Sequence, residues 1–143
     1  LNIASVNRLP NWEQRLFAAL DVWRSRVYAC GPDDCCAFAG DCIEAVTGLT
    51  PYADYAGYTT PEQARDALAL NGYKSLRAAL RGLCGAPIPR GLALRGDIAW
   101  LPASGSVGSV GVVVGGGVLF LFDTGWVRAP MALANRYYRV GAR

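Results

Sequence analysis

The segment Gly31-Pro32-Asp33-Asp34-Cys35-Cys36 places a cysteine at the start of an expected helix, in a chain of 143 residues with no histidine. A thiol at a helix N-terminus sits where free N–H groups and the macrodipole favour negative charge, so its thiolate forms more readily. That is the setting of a sulfur nucleophile. A cysteine hydrolase also needs a base, and later an acid, that titrates near neutral pH, and this group is usually an imidazole. Serine is no base near neutral pH. A carboxylate such as Asp123, with a reference pKa of about 3.9 against about 8.5 for a thiol, is poorly matched to take the proton. Asp33 and Asp34 lie beside Cys35, and their charge opposes a thiolate there.

Other uses of the cysteines compete with this one. Cys35 and Cys42 fall on the apolar stripe of the expected helix, where a free thiol acts as a small buried hydrophobe. Cys36 lies off that stripe and is expected to be partly exposed. Cys30, Cys35, Cys36 and Cys42 have the spacing C-x4-C-C-x5-C. It lacks the C-x2-C knuckle of a zinc site, so neither a metal nor a cofactor is expected. Five cysteines make an odd number, with no evident disulfide framework. The first residues lack the basic start and apolar run of a signal peptide. The expectation is therefore a soluble protein folded in a reducing cytoplasm.

The elements that must position Cys35 are legible from periodicity. Residues 11–28 carry a helical stripe of Trp12, Leu16, Phe17, Leu20, Trp23 and Val27, with Asn11 as the expected cap. Residues 28–34 form a loop. A second helix is expected over 35–46, with Phe38, Ala39, Cys42, Ile43 and Val46 on its apolar face. Asp33 or Asp34 would cap it, and Gly48 would end it. A connector over 49–60 carries Tyr52, Tyr55 and Tyr58. With Tyr73 these might be read as a platform for a sugar or peptide, but a loop packed by its own side chains is the preferred reading. A third helix opens at Thr60-Pro61 and closes at Asn71-Gly72, and a fourth covers about 74–83.

After Gly96 the texture becomes β-rich, with strands expected over 97–101, 107–114, 118–123 and 136–140 and a hairpin turn at Gly115-Gly116-Gly117. Helices followed by an antiparallel sheet define an α+β protein, read as one domain over residues 1–143. The glycine-rich run over 105–117 lacks the Gly-Lys-Ser/Thr ending of a phosphate loop. The apolar stretch 110–122 is too short for a spanning helix, which needs about 20 residues. Hydrophobic residues make up 52% and charged residues 17% of the chain, which excludes a disordered one. A net charge of +3, with no basic run, gives no footprint for nucleic acid. Arg77 and Arg81 share a helix face that reads as solvated.

Three landmarks now stand in order: Gly31-x-x-Asp34-Cys35, Arg95-Gly96-Asp97-Ile98, and the strand Ser109-Val110-Gly111-Val112-Val113-Val114-Gly115. Their order and spacing resemble the NlpC-type papain-like cysteine peptidases. The opening helix, Tyr28-Ala29-x-Gly31 and the Asp34-Cys35-Cys36 junction look most like the small tail-associated members encoded by tailed bacteriophages and prophages. The resemblance covers about 11–140. It implies a papain-like fold in which Cys35 holds the nucleophile position. The expected base position, a histidine in the family, holds Ser109, which is not competent. The next strand usually carries a polar residue to orient the base, and here it stays apolar until Asp123. The resemblance therefore implies a catalytically degenerate member. It would be a minor tail or tail-tip component of a virion, made in the host cytoplasm. It would dock with other phage tail proteins in multiple copies, without nucleic acid and without a membrane span. The alternative it implies is a peptidoglycan-cleaving cysteine endopeptidase or amidase that uses Cys35 with a base supplied by another chain.

Overall fold

The computed structural model describes residues 2–102 and 107–143. Among the described residues, four α-helices precede five strands: α1 (Trp12–Trp23), α2 (Cys35–Thr47), α3 (Pro61–Leu70), α4 (Leu76–Cys84), β1 (Ile98–Leu101), β2 (Ser109–Val114), β3 (Gly117–Phe122), β4 (Gly125–Ala129) and β5 (Arg136–Tyr138). All strand pairs are antiparallel, in the order β4-β3-β2-β1-β5. The class is α+β. Gly105 of the glycine-rich run lies outside the described residues.

Local chemistry sets the helix ends. The Asp34 carboxylate caps α2, and Gly48 at its C-terminus has φ +80°, a left-handed position that glycine adopts without a Cβ clash. Thr60 and Ser75 cap α3 and α4 through their hydroxyls. Asn11 stands at the α1 cap position, but its side chain makes no capping bond.

The long stripe expected over 11–28 is cut short. α1 ends at Trp23, and the chain turns so that the Arg26 N–H bonds the Trp23 carbonyl at 2.8 Å. The Arg26 guanidinium then lies 4.3 Å from the Trp23 ring centroid. Val27 is left in solvent, and Phe17, also assigned to the stripe, is 74% exposed. Leu16 and Trp23 carry the burial instead.

The helices cover one face of the sheet. Phe38, Cys42 and Val46 of α2 are fully buried with Ile98, Val110, Val112 and Leu121. Trp23, Phe38 and Trp126 pack edge to face within this layer. The opposite face has its own smaller apolar layer around Ala99, Val113, Val118, Phe120 and Tyr137. Period-two alternation assigns each strand residue to one layer or the other.

The Arg95-Gly96-Asp97-Ile98 landmark is a structural junction. Asp97 is fully buried and pairs with Arg8 at 3.2 Å and with Arg143. It also accepts the Leu94 and Val140 N–H groups at 2.8 and 3.0 Å. One carboxylate thereby ties both chain ends to the start of β1.

Candidate functional site

The loop that delivers Cys35 is a tight hairpin. Ala29 and Asp33 exchange two backbone hydrogen bonds of 3.0 Å. Gly31 at its tip has φ +96°, and a Cβ there would fall 2.0 Å from the Tyr58 carbonyl oxygen. Glycine alone permits that approach. The Asp34 carboxylate turns inward and accepts from the Ala37 N–H at 2.9 Å, the Gly31 N–H at 3.0 Å and the Tyr58 hydroxyl. The Tyr52 hydroxyl donates to the Gly31 carbonyl at 2.7 Å. Two tyrosines of the connector thus hold the cysteine loop.

Cys35 is the first residue of α2 and is partly buried, whereas Cys42, its partner on the expected stripe, is fully buried. The neighbouring Cys36 thiol, as a donor toward the Cys35 thiolate, is the largest influence holding the Cys35 thiol below its usual range. Burial opposes it, the backbone N–H groups of Val110 and of Cys35 itself assist, and the Asp34 charge opposes. The flanking aspartate acts in the expected sense, but the Cys36 and backbone hydrogen bonds outweigh it. Cys36 is pushed well above the usual range by donating to Cys35 and by burial.

β2 runs beside the thiol, with the Val110 backbone N–H next to Cys35. Ser109 is paired with Leu101, and Leu101 belongs to the second apolar layer on the face away from the helices. Residues directly opposite on neighbouring strands share a face. The register therefore assigns Ser109 to the face away from α2, while Val110 faces the helices. Asp123 is exposed, beyond the end of β3.

Tyr28 completes the surroundings of the thiol. Burial, followed by the charges of Cys30, Asp34, Cys35 and Asp123, raises its phenol to about 12. It is protonated near neutral pH and supplies no base. The site can hold a thiolate, but among the described residues it contains no group suited to shuttle a proton near neutrality.

Cys36 also lines an apolar cavity of about 90 Å³ bounded by α2, the tyrosine connector, α3, α4 and the start of β2. Tyr52, Tyr55 and Tyr58 line it too, while Tyr73 packs instead against Gly82. Nothing local in the sequence announces this cavity, because its walls come from segments more than sixty residues apart. The inward turn of Tyr58 has one local sign, the need for glycine at position 31. Among the described residues no group of three or more His, Cys, Asp or Glu side chains could hold a metal ion, and no helix is long and apolar enough to cross a membrane.

A search of curated proteins finds no match to this chain. Residues 7–140 match a family described as a domain of unknown function, DUF6950, and that span takes in the cysteine loop, the cavity and all five strands. The chain belongs to the DUF6950 family.

Proposed function

We propose that this chain is a catalytically silent, NlpC-like papain-type domain that serves as a minor structural component of a bacteriophage tail tip. It acts by docking to other tail proteins. The observation that carries the reading is a helix-start thiol without a proton partner. Cys35 is held by Cys36 and by the Val110 backbone, the chain has no imidazole, and the β2 register turns Ser109 to the other face. Exposed apolar side chains such as Phe17, Val27 and Leu70 supply surface for partners. Mass spectrometry of purified virions from a phage or induced prophage carrying this gene tests it. The chain is expected in the tail fraction, and particles made with Cys35→Ala are expected to assemble and infect normally. Its absence from the particles would overturn the reading.

The lowered pKa of Cys35 favours a second reading, in which the same thiol cleaves peptidoglycan once another chain lends a base. Activity would then be absent from the isolated chain and appear on assembly, and Cys35→Ser would abolish it there.

A further inference from the structure

We infer that the cavity beside Cys36 is a binding site for an uncharged aliphatic group about the size of a leucine or methionine side chain. The inference rests on the cavity alone and stands whether or not the docking reading holds.

Three observations carry it. The first is the chemistry of the wall. No Asp, Glu, Lys or Arg lines the cavity, and its interior is built from residues such as Ala39, Ile43, Leu68, Leu76 and Val110. The second is what the polar atoms are doing. The Tyr52 hydroxyl is committed to the Gly31 carbonyl and the Tyr58 hydroxyl to Asp34, Tyr55 stands at the partly buried rim, and the Cys36 thiol is only a weak donor. Water needs two to four polar partners to settle in a cavity, and an apolar space without them stays dry and accepts apolar guests. The third is size and access. An apolar cavity of roughly 150 Å³ takes benzene or xenon, and about 90 Å³ leaves room for a xenon atom or one short branched alkyl group. Pro51, Tyr55, Ala64, Leu83 and Val107 are only partly buried and form the rim, whereas Ala39, Gly40 and Val110 are buried and form the floor. A charged headgroup would meet no counter-charge in the wall and would lose its hydration on entry.

The aliphatic group could arrive on a small free molecule or on the side chain of a peptide, and the chemistry of the cavity is the same for both. The experiment is methyl NMR of the intact chain, titrated with xenon, with isobutanol and with N-acetyl-leucinamide. Saturable shifts are expected at the Ile43, Leu68 and Val110 methyls. None is expected at Val113 and Val118, which lie in the other apolar layer. Tighter binding of isobutanol identifies a free ligand, and tighter binding of the leucinamide identifies a peptide side chain. Isobutylammonium should not bind. Ala64→Leu places a good helix former at the partly buried rim of α3, from which its side chain reaches into the cavity, and should weaken binding about tenfold or more. The absence of saturable shifts with every neutral probe would overturn the inference, as would equal binding by a folded Ala64→Leu variant.

Discussion

Cys35 and Cys36 are adjacent thiols at the start of α2 with opposite acidities: Cys36, as a donor toward the Cys35 thiolate, lowers the first, while that interaction and burial raise the second. The first is held as the more acidic thiol and the second is kept protonated. The helix start, Cys36 and the Val110 N–H together make the Cys35 thiolate easier to form. They do nothing to deliver a proton to a leaving group.

The pair predicts a specific order of reactivity. With iodoacetamide, Cys35 should begin to react at lower pH than an ordinary thiol, and Cys36 should lag far behind it. Cys36→Ala removes the main donor and should move the Cys35 profile toward higher pH. Peptide mapping of alkylation rates from pH 5 to 10 measures both effects. An unchanged Cys35 profile in Cys36→Ala would contradict the hydrogen-bonded pair.

Ser109→His tests the strand register. The register turns residue 109 toward the Leu101 layer, so the new imidazole should titrate near its ordinary value of about 6.5. The alkylation profile of Cys35 should not change. A bell-shaped profile that appears with the substitution would show the ring reaching the thiol.

Asp34 holds the cysteine loop through three hydrogen bonds. Asp34→Ala loses a helix cap and leaves the buried Gly31 N–H unpaired, at a cost of about 2–4 kcal/mol. Tyr58→Phe removes one of the three bonds and should cost about 1 kcal/mol. Urea denaturation of the two variants gives the ranking. A larger loss in Tyr58→Phe than in Asp34→Ala would contradict the capping role.

How far the sequence alone reaches is visible in these same residues. A cap at Asp33 or Asp34, the Gly48 stop and the apolar face of α2 are legible because a helix and its ends are local, and the structure selects Asp34. The apolar stripe over 11–28 predicts a longer helix than forms: a stripe shows where a helix can bury side chains, not where the chain turns, as it does where the Arg26 N–H bonds the Trp23 carbonyl. β4 went unread, because Gly125-Trp126-Val127-Arg128-Ala129 lacks clear alternation and is defined by its pairing with β3. The side of the sheet that Ser109 faces depends on register, and a shift of one residue reverses it. The cavity arises where α3 and α4 meet α2 and β2, which no single segment encodes.

Asp97 predicts a large stability effect away from the thiol. Asp97→Ala leaves Arg8 and Arg143 without their carboxylate in a largely buried setting, and breaking such a pair costs about 3–5 kcal/mol. The midpoint of urea unfolding should fall accordingly, with the far-ultraviolet spectrum of the folded state unchanged. A loss below about 1 kcal/mol would place the network among weak surface pairs.

Buried thiols set the alkaline limit. Burial raises Cys84 to about 12 and pushes Cys42 up as well. For an acid whose folded pKa is raised, the stabilising contribution is complete below the unfolded value of about 8.5 and is lost as pH rises toward the folded value. Unfolding free energy should therefore decline between about pH 9 and 12, by about 1.4 kcal/mol per pH unit for each of the two thiols. Cys84→Ala should remove one share of that slope. A flat profile across this range would contradict the burial of both sulfurs.

Release of soluble muropeptides by the purified chain tests the catalytic silence of Cys35 most directly. Wild type and Cys35→Ser, incubated with purified peptidoglycan sacculi at neutral pH, should both leave them undigested. Digestion by the wild-type chain alone, abolished by Cys35→Ser, would contradict the account.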